Sequence, residues 1–564
     1  MAPSTTRAAA KPVSFAHLAV FALLSAVLLD LPFPIAGPLP PWRAVFAWFA
    51  LVPLLFALLA PRSIASPNYL RRSSLTAYLC GITWYALNCY WIYNTMTEYA
   101  QGVSPAGGIG ILLLFSAVLG LYFALFGLVI AFLRKKSGGI LVPLAVAPFL
   151  WTALDLLAAR LTSVPWDQLG YSQVDNLLLI HLAPITGTYG ITCVLVAVNA
   201  LFAAALLAES IHTRLRIGLG AILLAVLLQL GSFTTAKPSP TSAYAVLLQP
   251  NLNVGSQNLW LGPEWAERTA WMIQQGQRTC SFAFSGMPDL DLADIIPLSS
   301  VGHVGLSSAN SSTANRCAQN TPPPGVVIWP EAQSPLLSDD PRTIDLLHNL
   351  ATATHAPVIA GMLGQDQSGI YNSAVFTSPD GQILGRYDKI HLVPFGEYIP
   401  YRNLFFFAHK LTQQLVDLQR GKVRKVFNSN GHAFGIFICY ESIFANEIRP
   451  FASNGAQVFV NISDDGWYGN TSAPWQHLNM ARMRAIENHR WILLDTNNGI
   501  TTVIDPKGRV TWSAPRNVAT SLVARYGYES NLTFYTRFGD VFAYLCGIIS
   551  IGALLWFIRR RPLV

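Results

Sequence analysis

The sequence predicts an integral-membrane α-helical bundle of eight spans that carries an external α/β domain. Three observations predict it. Hydrophobic residues fill 52% of the 564 positions and charged residues only 12%, about half the charge content of a soluble globular chain. Apolar runs close to the ~20 residues a bilayer requires recur through the first 233 positions and return near 540–558. Between them, from about 243 to 530, short apolar strands alternate with helical stretches, the pattern of a layered sandwich of sheets and helices.

The predicted spans are 15–31, 44–60, 75–95, 109–133, 139–159, 187–208, 217–233 and 540–558. The first run has the length of a signal-peptide core. Asp30 and a Pro-rich turn follow it, with no small-residue cleavage site, so it reads as a span. Basic residues test the count. They gather at Arg7 and Lys11, at Arg62, Arg71 and Arg72, at Arg134, Lys135 and Lys136, at Arg214 and Arg216, and at Arg559, Arg560 and Arg561. Every second loop is therefore basic, and Arg43 and Arg160 are the exceptions between them. Under the positive-inside rule both termini face the cytoplasm and the 243–530 region lies outside. The net charge of +8 is spread over these loops rather than gathered in one patch, which excludes a nucleic-acid surface.

The domain organisation that follows is a membrane part at 1–233, an external domain at 243–530, and a final span with a basic cytoplasmic tail. The external domain opens with a strand at 245–251, followed by a helical stretch with Trp265 and Trp271. Residues 281–324, rich in Ser, Ala, Asn, Gly and Pro, read as a loop insertion bracketed by Cys280 and Cys317. In an oxidising compartment those two cysteines either pair or remain thiols. Strands follow at 325–330, 356–361, 371–377, 382–388, 433–439, 456–461, 491–496 and 500–504, with helices near 343–354, from 441, and near 475–489.

Three of these strands end in residues that carry chemistry. Cys439 closes the run Gly435-Ile436-Phe437-Ile438, where a side chain stands accessible at the lip of a sheet. A cysteine thiolate attacks acyl carbon, given a base for its proton and a positive group for the oxyanion. Glu331, after Val327-Ile328-Trp329-Pro330, is the candidate base. Lys389, in Tyr387-Asp388-Lys389-Ile390-His391, is the candidate oxyanion partner. Glu or Lys alone after a strand is an ordinary solvated turn residue; the three in this order, each at a strand end, are a constellation. In the membrane part, Asp155, Arg160 and the segment Pro165 to Gln173 are unlike lipid-facing sequence. They read either as an interfacial loop or as part of a lipid entrance.

The motifs Trp329-Pro330-Glu331, Lys389 to Glu397 with its Phe395-Gly396-Glu397 end, and Cys439-Tyr440-Glu441 resemble the nitrilase superfamily, and within it the bacterial apolipoprotein N-acyltransferase family. The resemblance extends to Val164-Pro165-Trp166, Leu169 to Gln173, Asn461 to Gly469, the stretch around Arg482, Arg484, Ala485 and Glu487, and Thr496-Asn497-Asn498-Gly499. It implies an αββα carbon-nitrogen hydrolase domain with Glu331 as general base, Lys389 as oxyanion stabiliser and Cys439 as nucleophile. It adds Glu397 as a second essential acid, Tyr440 and Glu441 beside the nucleophile, and Trp260 as an active-site tryptophan. It further implies transfer of an acyl chain from a membrane phospholipid, through a Cys439 thioester, to the amino group of a diacylglyceryl-modified N-terminal cysteine of an apolipoprotein. The setting would be the bacterial inner membrane with the catalytic domain on its periplasmic side, and no metal or organic cofactor is needed. The sequence departs from the family in its longer 281–324 insertion and in Leu494, where the family often has Arg. A small-amide hydrolase would use the same three groups but gives no reason for eight spans. A transporter or scaffold with a decayed domain gives no reason for an intact Glu331, Lys389 and Cys439.

Overall fold

The computed structural model describes residues 13–99, 103–254, 270, 323–394, 396–398 and 418–559. Trp260, Trp265, Trp271, Cys280, Cys317 and residues 281–322 of the insertion lie outside the described residues.

Among the described residues, six helices are long and apolar enough to cross a bilayer. They are α2 (Pro41–Leu59), α5 (Pro105–Ser137), α6 (Leu141–Leu161), α7 (Thr188–Leu207), α8 (Ile211–Phe233) and α12 (Val541–Arg559). The other two expected spans are helical but fall short of that standard. Helix α1 (Phe15–Asp30) has 16 residues. Helix α3 (Tyr69–Asn88) begins with Arg71, Arg72, Ser73 and Ser74, which dilute its hydropathy. The expected run 75–95 also breaks at Cys89, and a separate helix α4 (Trp91–Tyr99) follows.

Helix α5 shows how the sequence sets its own limits. Ser104 Oγ accepts the Gly107 N–H at 3.2 Å, and Pro105 occupies the first turn. Arg134, Lys135 and Lys136 face the negative end of the helix dipole, and Gly138 ends it at φ +71°. It packs tightly on α3 through small residues. A Cβ on Gly127 would stand 2.5 Å from Ala77 Cβ and 2.8 Å from Ser73 O. In lipid, such close backbone approach supplies the dispersion contact that a hydrophobic drive cannot. Helices α8 and α12 turn Leu219, Ile222, Leu223, Ile548 and Ile551 outward, an apolar face suited to lipid.

Among the described residues, the α/β region between the membrane helices is two six-stranded sheets. The first holds, in chain order, β1 (Ala243–Gln249), β2 (Val326–Leu337), β3 (Val358–Asp366), β4 (Gly369–Thr377), β5 (Ile383–Asp388) and β12 (Thr520–Tyr526), in the spatial order β12-β1-β2-β3-β4-β5. The second holds β6 (Val426–Ser429), β7 (His432–Ile438), β8 (Val458–Ser463), β9 (Trp491–Thr496), β10 (Thr502–Ile504) and β11 (Val510–Ser513), ordered β11-β10-β9-β8-β7-β6. Side chains alternate along β1. Ala245 and Leu247 enter the core between the sheets, whereas Val246 and Leu248 pack outward against α9 (Pro341–Thr354). Helices α10 (Ala445–Ser453) and α11 (Ala473–Asn488) complete the layering. Almost all of α11 is buried, because it lies between the second sheet and the membrane helices.

Two local expectations change. Glu331 does not end its strand, because β2 continues to Leu337. Its ladder with β3 breaks after Trp329↔Ala360 and resumes at Ser334↔Met362. Pro330 has no N–H to give the ladder, so the chain bulges and Glu331 leaves the sheet there. Gly361 accommodates the bulge: a Cβ on it would meet Pro330 O at 2.2 Å and Glu331 Cα at 2.7 Å. The expected helix from 441 is instead a 3-10 turn, Cys439–Ile443, and α10 starts only at Ala445.

The α3–α5 contact makes a test. Replacing Gly127 with Leu should destabilise the bundle by about 1–3 kcal/mol through overpacking, read as a lower melting temperature in detergent. Gly110→Leu is the control: a Cβ there meets nothing within 4 Å, and its melting temperature should stay close to that of the parent.

Candidate active site

Four strands, β2, β5, β7 and β8, deliver the site. β2 and β3 are parallel, while β4 is antiparallel to both β3 and β5. β5 therefore runs with β2, and Lys389 emerges beside Glu331. From the facing sheet, β7 runs parallel to β8, and Cys439 and Asp464 leave the same ends of these two strands.

Lys389 is almost fully buried, 1% exposed. Its Nζ donates to Glu331 Oε1 at 3.0 Å and to Glu397 Oε1 at 2.9 Å. Asn372 Nδ2 donates to the same two oxygens at 2.7 and 2.8 Å. The other oxygen of each carboxylate takes a backbone N–H. Asp464 N donates to Glu331 Oε2 at 2.8 Å, and Val393 N donates to Glu397 Oε2 at 2.8 Å. Burial alone would lower the Lys389 pKa, but the charges of Glu331 and Glu397 outweigh it and hold the ammonium well above its ordinary value.

Cys439 is 6% exposed and adopts φ +51°, a left-handed backbone that costs a non-glycine residue roughly 1–3 kcal/mol. The surroundings enforce it. The Glu441 carboxylate accepts the N–H of Ile438 at 2.7 Å, of Ile390 at 2.7 Å and of His391 at 3.1 Å, and the Tyr387 hydroxyl at 2.8 Å. One carboxylate thus ties the turn that bears Cys439 to the loop that bears Lys389. Burial first, then the neighbouring Glu331 charge, push the Cys439 thiol well above its ordinary pKa, and Lys389 opposes them. The resting group is the thiol, so attack on an acyl carbon requires a base, and the Glu331 charge acts on it directly.

Tyr440 points the other way. Its hydroxyl donates to Ser163 O, just past α6, at 2.8 Å. More contacts seat the domain on the membrane helices. Trp166 Nε1 donates to Gln476 Oε1 at 2.9 Å, and Gln476 Nε2 donates to Asn88 O at 3.0 Å, capping the end of α3. Arg484 donates to the Tyr171 hydroxyl at 3.0 Å. Trp91 and Trp166 pack at 4.8 Å between ring centres, with Tyr468 against Trp91 at 5.2 Å.

The structure thus brings Glu331, Lys389, Glu397, Cys439, Tyr440 and Glu441 to one place. Trp260 lies outside the described residues. Sequence reading passed over Asn372, the Asp464 amide and the buried His477. A lone amide inside the apolar strand at Ala374-Val375-Phe376 was the available signal for Asn372.

Glu441→Gln tests the tie between the two loops. An amide accepts through one oxygen only, so at least one of the N–H donors now on the carboxylate loses its partner, at about 1–3 kcal/mol. The variant should melt at lower temperature and alkylate more slowly at Cys439.

A family model for the carbon-nitrogen hydrolase domain matches residues 268–525, and one for the apolipoprotein N-acyltransferase N-terminal domain matches residues 9–201. The apolipoprotein N-acyltransferase of Geobacter metallireducens is 30% identical over 561 residues, covering 96% of this chain and 96% of its own. That of Methylococcus capsulatus is 30% identical over 533 residues, covering 91% and 94%. Among solved structures, Saccharomyces cerevisiae Nit3, a member of branch 10 of the nitrilase superfamily, aligns at 16% identity with a TM-score of 0.34, covering 52% of this chain and 92% of that one. With relatives matched over almost its whole length, the chain belongs to the apolipoprotein N-acyltransferase family.

Proposed function

We propose that this chain is a membrane-bound N-acyltransferase that moves an acyl chain from a phospholipid to the α-amino group of a diacylglyceryl-modified N-terminal cysteine on an apolipoprotein. In this reading residues 1–233 and the final helix form the membrane part, and residues 243–530 form the catalytic domain. The observation that carries it is the position of the nucleophile. Cys439 lies beside a largely buried Glu331–Lys389–Glu397 cluster, and its neighbour Tyr440 is hydrogen-bonded to Ser163, just past the end of a membrane helix. A thiol there meets substrates anchored in the bilayer.

Glu331 takes the Cys439 proton as the sulfur attacks the ester carbonyl of the phospholipid. Lys389 gives two of its three N–H bonds to the two carboxylates, and the third serves the oxyanion. Glu331 returns the proton to the departing alkoxide, which leaves as lysophospholipid, and Cys439 holds the acyl chain as a thioester. The lipoprotein amine then attacks, Glu331 takes a proton from it, and the amide forms as that proton returns to the sulfur. Glu397 and Asn372 keep Lys389 and Glu331 in register. Tyr440 anchors the site to the membrane part, Glu441 supports the two loops, and Trp260 carries the substrate-contact role implied by the resemblance. No metal or organic cofactor takes part in these steps.

In this proposal α1 and α3 also cross the membrane, giving eight spans with both termini cytoplasmic and the domain periplasmic. Two observations support that orientation. The basic ends at Arg62, Arg134 to Lys136, Arg214 and Arg559 belong to one set of helix ends. The segments that touch the domain, at Pro34, Asn88, Thr95, Ser163 and Trp166, belong to the other set.

Intact mass of the purified protein after mixing with phospholipid tests the reading. Wild type should gain one acyl chain that hydroxylamine removes, and Cys439→Ala should gain none. A reactive Cys439 without mass gain would point to a small-amide hydrolase, and an inert thiol to a scaffold. The pH dependence of iodoacetamide labelling gives a second test. A thiol whose pKa is raised stays protonated as pH climbs, so labelling of Cys439 should still be accelerating past about pH 9.5, where an ordinary thiol has nearly levelled off. Lys389→Met removes a charge that lowers the thiol pKa, so labelling at pH 9.5 should slow further.

A further inference from the structure

Behind the nucleophile, away from Glu331 and Lys389, lies a second set of buried polar side chains that the mechanism above does not use. His477, on α11, is 0% exposed. Its Nε2 stands 3.2 Å from the Cys439 carbonyl oxygen and 2.6 Å from Ser442 Oγ. Its Nδ1 stands 3.3 Å from Asp465 Oδ1, and that oxygen also accepts the Ser463 hydroxyl at 2.8 Å. Ser463 in turn lies near enough to the Cys439 thiol to lower its pKa. Asp465, 1% exposed, therefore holds two arms. One runs through His477 to the backbone of the nucleophile, the other through Ser463 to its sulfur.

We infer that His477 is a positioning residue for the proposed acyl transfer: lying between two acceptors, it donates Nδ1–H to Asp465 and Nε2–H to the Cys439 carbonyl, with the Ser442 hydroxyl alongside, and so holds the left-handed turn from which the sulfur faces Glu331 and Lys389. The inference rests on the acyl-transfer reading for its rate effects, but not for the geometry of the thiol. A φ of +51° at a non-glycine residue relaxes unless its neighbours over-determine it. Glu441 holds the N-terminal side of the turn through Ile438 N. His477 is the side chain that holds the peptide after Cys439, in a helix already pinned to the membrane part by Gln476 and Trp166. A merely packed histidine would need none of these partners.

Two conservative variants separate a positioning role from a structural one, because each keeps one half of the ring. In His477→Gln the new side-chain amide nitrogen reaches the place of Nε2 and can still donate to the Cys439 carbonyl. His477→Asn keeps a donor near Nδ1 and loses that reach. Single-turnover acylation by phospholipid, followed by intact mass, should fall less than fivefold in H477Q and more than tenfold in H477N. The donor concentration for half-maximal rate should stay within twofold, and melting temperatures within a few degrees. Equal rates in the two folded variants, or a faster H477N, would overturn the role. If H477N does not fold, Asp465→Asn takes its place. That change removes the charge that orients the ring, and an unchanged acylation rate in a folded D465N would also overturn the role. Iodoacetamide labelling of Cys439 needs no lipid. Should wild type take no acyl chain, the acyl-transfer reading fails, yet slower labelling in H477N than in H477Q still supports the positioning role, and equal labelling removes it.

Discussion

One ammonium holds this site together. Glu331 is buried and Glu397 largely so, and one oxygen of each carboxylate accepts from the same two donors. Lys389 lies between them with its charge shared, and Asn372 bridges the same pair of oxygens. Burial first, and then the Glu331 charge, keep the neighbouring thiol protonated. Removing the ammonium would take away the cation that both carboxylates share, a far larger change than loss of one hydrogen bond.

The second constraint is mechanical. The domain and the membrane helices are joined by buried polar contacts rather than by a flexible tether. Helix α11 carries Gln476 to Trp166 and the end of α3, and Arg484 to Tyr171 and to Glu487, whose carboxylate accepts the Thr188 N–H at the start of α7. The same helix carries His477 toward Cys439. Shape at the membrane surface and geometry at the thiol are therefore set by one rigid element.

How much of this was legible depended on what each residue does. Apolar runs marked the helices well, because lipid-facing and buried positions both select against charge. Helices α1 and α3 fell short of a free-standing span because one is short and the other opens with two arginines. The strands were legible from their apolar cores, but not the continuation of β2 beyond Glu331, since Pro330 interrupts the ladder without ending the strand. Glu331 and Cys439 stood out because each follows an apolar run, and Lys389 because it stands at a strand end between them in the chain. Asn372 and His477 did not, because their meaning lies in partners 41 and 38 residues away, which no local pattern encodes. Glu441 was expected only beside the nucleophile, and its part in joining two loops became visible once Ile390 and His391 lay against it.

The left-handed backbone at Cys439 has a consequence for how such a chain can change. Glycine would adopt that conformation without strain, so the backbone at position 439 is easiest to hold with a residue that carries no thiol. Stability and reactivity are opposed at this position, and the conformational energy stored there is offset by the contacts of Glu441 and His477 around it. Screens that reward thermal tolerance alone would therefore drift away from the thiol, while improvements made in the surrounding contacts would raise stability and leave the chemistry in place.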